Sequence, residues 1–289
     1  MQMSKKNEYE QSFALNSAFK TNYNDSTSSF TYVFPEKLTN VIDIRISHLE
    51  IPVDAYFAVS EYYGNNKFTI RKTLRGDPNA VTEYVVIIPD NNYISMDDYR
   101  DIINLRINDV LGSAHDITAL HNQYTMFFHV AENSLFDYTI DFAESIYNPT
   151  IERNLGYILG FRKSTYDIVA GGFIEGERPV NLSPTKAFFI VLEDFTNNFK
   201  ENIKVGFANH FLNKHVLARI PFTRTKDEAR SFIFNKFSDT PGNVRKYSGP
   251  TDIQKIKIEI LDDYGEVINL LGADWGFVIT ATMLFNKNE

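Results

Sequence analysis

Histidines and paired acids are the side chains of this 289-residue chain whose types could support metal binding or catalysis. The six histidines are His48, His115, His121, His129, His210 and His215. A zinc site needs several such ligands at suitable spacing, but His210 and His215 are five residues apart and would not share one helical face. No HExxH, His-x-His or EF-hand pattern occurs. The spacing predicts no metal site.

Adjacent acids occur at Asp97-Asp98, Glu193-Asp194 and Asp262-Asp263. Neighbours at a strand end cannot by themselves face one another across a glycosidic bond. Asp262-Asp263-Tyr264-Gly265 follows an alternating run and contains standard turn formers, so we interpret it as a turn. The glycines of "AGGFIEGE" lack the Lys and Ser/Thr of a phosphate loop, and no GxGxxG or GxSxG occurs. We predict no catalytic or cofactor-binding residues and a protein that is not an enzyme, although a Ser-His-Asp triad built from distant residues stays open.

Composition narrows the class of partner. The net charge is -8 and no long Lys/Arg block is present, so direct nucleic-acid binding is not expected. The absence of cysteine excludes disulfides and thiolate metal sites. No apolar run reaches the length of a transmembrane helix or a signal-peptide core, so we expect no transmembrane segment and synthesis in the cytosol. The 24 Phe and 16 Tyr favour β structure and assembly.

The elements that would position these residues are mostly strands. "SSFTYVF" (28–34) reads as a strand closed by Pro35, and "NVIDIRISHLEIP" (40–52) alternates as a strand with one core face. "TEYVVIIP" (82–89) is nearly continuous in apolar residues and predicts a strand buried on both faces. "DIQKIKIEILDDYGEVINL" (252–270) predicts a strand, a turn and a second strand. In "DWGFVITATMLF" (274–285) one face carries Trp275, Phe277, Ile279, Ala281, Met283 and Phe285.

One long helix is predicted over residues 96–111. Ser95 can cap it, Asp98 can complete a capping box and Gly112 can end it. About ten strand-like runs against this helix predict a mainly β fold, a jelly-roll β-sandwich with one inserted amphipathic helix and an extended N-terminal arm.

The predicted domain boundaries follow composition. Residues 1–27 are polar and predict a flexible arm, either a plain tail or an interaction arm. Residues 28–289 form the jelly-roll domain, with residues 90–165 as an alternative small insert. The glycine-rich stretch 164–185 is the predicted loop or hinge.

An ordered set of segments resembles capsid proteins of the nucleocytoplasmic large DNA viruses. The segments are "NVIDIRISHLEIPVDAYFAVSEYYGNNKFTI", "IPDNNYISMDDYRDIIN", "LGYILGF", "FFIVLEDFTNN", "LARIPF" and "GPTDIQKIKIEILDDYGEVINL", and the likeness runs from about residue 28 to 285. Within that group, the chain most resembles the single jelly-roll penton or minor capsid class. The chain is too short for the double jelly-roll major capsid protein.

The resemblance implies a structural protein of the virion capsid, made in the host cytoplasm. Its partners would be copies of itself, as a homopentamer at the fivefold vertex, together with the major capsid protein and other minor capsid proteins. A minor capsid protein that cements capsomers is the alternative position. We hypothesise that the inter-strand loops and the arm 1–27 contact neighbouring subunits.

Two readings from other classes stay open. The first is a carbohydrate- or receptor-binding β-sandwich of a viral spike or fibre, whose exposed stacking platforms would lie around Tyr62, Tyr63, Tyr93 or Trp275. The second is a hydrolase on the same fold, which would need a cleft with converging carboxylates or histidines.

Overall fold

A computed structural model describes residues 7–143, 153–201, 203–207, 209–221, 232–235 and 244–285, with only the backbone given for Val53 and residues 232–235. The described chain is mainly antiparallel β structure with one long helix, which confirms the predicted fold class. The strands and helices are β1 (Glu8–Asn16), β2 (Ser29–Ile51), β3 (Lys67–Leu74), β4 (Val81–Ile87), α1 (Met96–Leu111), β5 (Ile117–His121), β6 (Met126–Val130), β7 (Phe136–Asp141), α2 (Leu155–Ile158), β8 (Thr165–Ile168), β9 (Phe173–Glu175), β10 (Ala187–Glu193), β11 (Val216–Pro221), β12 (Phe232–Asn235), β13 (Val244–Leu261) and β14 (Gly276–Leu284).

The chain divides into two compact units. Unit 1 comprises Met1–Tyr56 and Thr185–Glu289, and unit 2 is the intervening segment Phe57–Pro184. The inserted unit is therefore longer than the predicted insert of 90–165. Its second boundary falls at the end of the predicted hinge, 164–185, which itself contains β8 and β9.

Unit 1 is built on one large sheet, sheet A, with the strand order β1-β14-β2-β13-β10-β11 and β12 paired to β2. Strands from the two ends of the chain pair with each other, β1 with β14 and β2 with both β13 and β14. This nested antiparallel pairing fits the predicted jelly roll. The predicted face of β14 is buried from Trp275 to Met283.

The described part of the predicted flexible arm 1–27, residues 7–27, differs from the prediction, and residues 1–6 lie outside the described residues. Residues 8–16 are β1, whose register with β14 runs from Glu8 opposite Leu284 to Asn16 opposite Gly276. Leu15 is buried and Phe13 packs edge-on against Phe34, with ring centroids 5.5 Å apart. The segment has few apolar side chains to bury, but its backbone forms hydrogen bonds with the neighbouring strand β14, and this pairing orders it.

Pro35 was predicted to close a strand, and this prediction is wrong because β2 continues through it to Ile51. The register of β2 with β13 shifts between the pairs Val33 with Lys255 and Leu38 with Ile253. A proline cannot donate a ladder hydrogen bond, so it is tolerated at such an irregularity. The long strand is thus compatible with its proline.

Unit 2 contains a four-stranded sheet, sheet C, of order β4-β3-β7-β8, and a three-stranded sheet, sheet D, of order β5-β6-β9. Its hydrophobic core cluster includes the packed rings of Phe68, Phe128, Phe142 and Phe161. The helix α1 contributes the buried side chains of Tyr99, Ile103 and Ile107 to this cluster.

The predicted helix ends are confirmed. The Ser95 hydroxyl accepts a hydrogen bond from the Asp98 N–H at 3.1 Å, and the Asp98 carboxylate accepts one from the Ser95 N–H at 3.0 Å. This is a complete capping box. Gly112, with φ 79°, directly follows the helix.

Strand β4 differs from its prediction as a strand buried on both faces. It lies at the edge of sheet C, and only Val86 among its seven residues is buried. The continuous apolar run indicated a central strand, but side-chain type alone does not tell a central strand from an edge strand.

Candidate assembly surface

The histidines and acids that suggested metal or proton chemistry lie in separate polar contacts. His121 Nε2 is 3.1 Å from Asp97 Oδ1, and His215 Nδ1 is 2.7 Å from Glu201 Oε1. Across the described ranges, no three His, Asp or Glu side chains converge as a metal ion would require.

Asp194 belongs to a buried polar network instead. Its carboxylate accepts hydrogen bonds from Arg245 Nη1 at 2.7 Å and from the Tyr247 hydroxyl at 2.6 Å. Arg245 also donates to the Leu192 carbonyl at 2.6 Å and lies 4.0 Å above the Phe199 ring. Burial and the neighbouring Asp194 charge raise the pKa of Tyr247, so its phenol stays a neutral donor. The network joins the first residues of β13 to the end of β10. These buried charged groups therefore connect two strands of the sheet.

The acids Asp262 and Asp263 form the predicted turn. The Asp262 carboxylate accepts from the N–H groups of Tyr264 and Glu266 at 2.9 and 3.1 Å. Asp263 accepts from the Lys186 N–H. Gly265 has a φ of 81°, in the left-handed region that favours glycine. These carboxylates are therefore engaged by backbone donors.

Three of the four aromatic residues expected to form a sugar-stacking platform are buried. Tyr63, Tyr93 and Trp275 belong to the core, and Tyr62 alone of the four is exposed. Trp275 stacks on Phe277 with ring centroids 4.7 Å apart. The platform predicted for the carbohydrate-binding alternative is thus not formed by these residues.

Trp275 instead joins two loops of unit 1, residues 17–28 between β1 and β2 and residues 262–275 between β13 and β14. Its indole N–H donates to the Thr27 carbonyl at 2.7 Å, and its own carbonyl accepts from the Ser17 N–H at 2.9 Å. The Ser17 hydroxyl donates to Asp274 at 2.8 Å. We call residues 17–28 and 262–275 the loop cluster. Hydrogen bonds made by Trp275 and Asp274 thus tie the two loops together.

The loop cluster exposes large apolar side chains. Phe19 is 75% exposed and Tyr23 is 88% exposed, and Leu271 is exposed on the second loop. The turn beneath Tyr23 is fixed by Asn22, whose side-chain oxygen accepts from the Asn24 N–H at 3.1 Å. Aromatic residues held on a rigid base are typical of the centres of protein interfaces. The geometry therefore favours contact with another protein surface.

The sequence indicated that the arm and the inter-strand loops make contacts, but it did not identify this cluster. The signal was present, because Phe19 and Tyr23 are large apolar residues within a segment of Ser, Asn, Thr and Lys. What could not be read is the hydrogen bonding between Ser17 and Trp275, which are 258 residues apart.

The solved structures similar to this chain include two of similar length. The crystal structure of the mavirus penton protein is 9% identical, with 95% of this chain and 98% of that chain covered and a TM-score of 0.41. A chain of the Sputnik virophage, from its cryo-EM structure, is 12% identical, with 96% and 98% covered and a TM-score of 0.45. Because both scores are low, nothing about function is inferred from these two likenesses.

No protein-family model matches the sequence, and no curated protein is similar enough to count as a relative. Among the described residues, both helices fall short of the length and apolar character needed to cross a bilayer.

Proposed function

We propose that this chain is a structural protein of a viral capsid, with the single jelly-roll penton at the fivefold vertex as its position. The observation that carries the proposal is the loop cluster, in which Phe19, Tyr23 and Leu271 are exposed on loops that Trp275 fixes. Side chains on loops that hydrogen bonds already hold in place lose less entropy on binding than side chains on unconstrained loops. Such a surface suits a subunit whose task is to hold its neighbours.

The rest of unit 1 supports the same proposal. Its fully buried ion pair, Asp194 with Arg245, joins two strands of the sheet. The ordered set of segments that resembles capsid proteins of large DNA viruses agrees with this reading. A penton would associate as a cyclic homopentamer in which a patch on one subunit meets a different patch on the next. The same surface would bind the major capsid protein in the minor capsid alternative.

The test replaces the exposed aromatics of the loop cluster. The double variant Phe19→Ser/Tyr23→Ser should lower the fraction of assembled protein at least tenfold, since central aromatic residues supply much of an interface's binding energy. The measurement is native mass spectrometry of the purified chain at high concentration, followed by incorporation into particles. The matched control is Leu135→Ser, which removes an exposed apolar residue from unit 2.

The result separates the candidate positions. A five-subunit species that the double variant loses supports the penton, whereas a monomer that still binds capsomers through Phe19 and Tyr23 supports the minor capsid protein. Unchanged assembly and incorporation in the double variant would refute the role of the loop cluster. Specific binding of the monomer to sugars on a glycan array would favour the rival class.

A further inference from the structure

Strand β4 has an open hydrogen-bonding edge. The Ile88 N–H donates to the Asn66 carbonyl at 2.8 Å, and the Leu74 N–H donates to the Ala80 carbonyl at 3.1 Å. These two bonds show which opposed residues of β3 and β4 are hydrogen-bonded pairs. Such pairs alternate along an antiparallel ladder. Thr82, Tyr84 and Val86 therefore direct their backbone groups toward β3.

The remaining residues of β4 direct their N–H and C=O groups away from sheet C. These residues are Val81, Glu83, Val85 and Ile87, and no described residue forms a hydrogen bond with their outward backbone groups. An edge of this kind is a template for another strand.

The side chains of the same four residues make this edge apolar. Val85 is 47% exposed and Ile87 is 53% exposed, on the same face of the strand as Val81. Glu83 is the one charged residue among the four, and its carboxylate is engaged by Arg71 Nε at 2.6 Å within the same sheet. Natural edges are normally blunted by charge, proline or a bulge. Glu83 is the one charge among these four residues, and they include no proline or bulge, so the edge has little protection against pairing with another strand.

We propose that the β4 edge pairs with the β4 edge of a second copy of this chain, antiparallel and about a two-fold axis at Tyr84. Alignment over the whole strand then places Val81 opposite Ile87 of the second copy and Glu83 opposite its Val85. The outward backbone groups of all four residues find partners in this register, as in a hydrogen-bonded antiparallel pair. No two like charges lie opposite each other.

The choice of a second copy follows from this self-complementarity. A shift that sets Glu83 opposite Glu83 would place like charges in register, which destabilises a strand pair. A contact of seven residues per copy buries less than the roughly 1,000 Å² expected of a stable interface. The pairing is therefore weak in dilute solution and is populated at high protein concentration. The contact is independent of the proposed capsid function and of the loop cluster.

The first test is a pair of substitutions at one exposed site. Val85→Glu sets two glutamates opposite each other in both of the pairs that flank Tyr84, whereas Val85→Lys sets a lysine opposite Glu83 in the same two pairs. The glutamate variant should self-associate about tenfold more weakly than the lysine variant, since like charges repel and opposite charges attract across strands. Sedimentation equilibrium over a wide concentration range measures this, with circular dichroism to verify folding. Equal affinities, or a wild-type chain that stays monomeric, would overturn the proposal.

The second test uses the absence of cysteine in the chain. In the proposed register residue 84 faces its own copy at a non-hydrogen-bonded position, where the Cα atoms lie about 4.5 Å apart. This distance permits a disulfide. Tyr84→Cys should form a covalent dimer under mild oxidation, while Ala14→Cys on the edge strand β1 should not. Equal dimer formation by both variants would exclude β4 pairing, and a larger species linked through another chain would exclude the second copy as the partner.

Discussion

The two units differ in how far their ion pairs are buried. Unit 1 fully encloses one pair, Asp194 with Arg245, whereas each ion pair of unit 2 among the described residues keeps at least one side chain partly exposed, as Arg71 with Asp141 does. The apolar cluster of unit 2 is made of aromatic and aliphatic side chains, and its capping box lies at the exposed helix end. A buried ion pair destabilises the fold when one partner is removed, whereas an apolar core is destabilised when a substitution adds volume that it cannot accommodate. The difference predicts separate responses to charge removal, acid and added volume.

The largest expected effect is from Arg245→Met, which leaves the Asp194 carboxylate buried without its cation. Removal of one member of a buried pair costs about 3–5 kcal/mol of unfolding free energy. Chemical denaturation followed by hydrogen exchange should place the loss in unit 1. The control Lys37→Met breaks the exposed pair with Asp252 and should cost less than about 1 kcal/mol. Equal losses in the two variants would contradict the comparison.

Glu259→Gln tests the pH dependence of unit 1. Burial raises the pKa of Glu259, but hydrogen bonds from Lys214 and Lys257 outweigh it and hold the pKa below the ordinary 4.5. A depressed folded-state pKa gives stability that is present above pH 4.5 and is lost as the pH falls through the folded value.

The variant should therefore lose about 1.5–3 kcal/mol at pH 7, the range for hydrogen bonds to a charged group. Its stability should also fall less than that of the wild type between pH 5 and pH 3, about the range in which such carboxylates titrate. Chemical denaturation of both proteins at pH 5 and at pH 3 measures this change. An equal fall in unfolding free energy for the variant and the wild type would refute the prediction.

Gly156→Ala probes the volume limit of unit 2. A Cβ at this position would lie 2.4 Å from Cγ of Phe142, inside the aromatic cluster. Overpacking of this kind costs about 1–3 kcal/mol. The loss should appear in the hydrogen exchange of unit 2 and should not change with pH. Gly249→Ala, where a Cβ meets nothing within 4 Å, is the matched control.

The smallest effect is expected from Ser95→Ala, which removes the hydroxyl of the capping box of α1. Loss of such a cap costs about 1 kcal/mol. Thermal unfolding measures the change, and Ser95→Asp should restore most of the stability because aspartate accepts the same hydrogen bond. A loss as large as that of Arg245→Met would mean that α1 supports more than unit 2.

The local features of the fold were predictable because they depend on residues close in sequence. The capping box at Ser95 and Asp98, the turn at Asp262–Gly265 and the buried face of β14 each follow from chemistry within a few residues. The continuation of β2 through Pro35, the pairing of β1 with β14 and the exposed face of β4 depend on distant strands. Strand order is not encoded in hydrophobic alternation, so the loop cluster and the β4 edge emerge only in three dimensions.

The pairing of β1 with β14 has a consequence for biosynthesis. The first strand leaves the ribosome long before its partner exists, since the two are separated by almost the whole chain. The segment 57–184 is contiguous and can fold while translation continues, as domains generally do. The loop cluster requires Trp275 and is completed only after that residue has been synthesised. A nascent product truncated before Trp275 would therefore lack the loop cluster and, on the proposed function, would not enter an assembly.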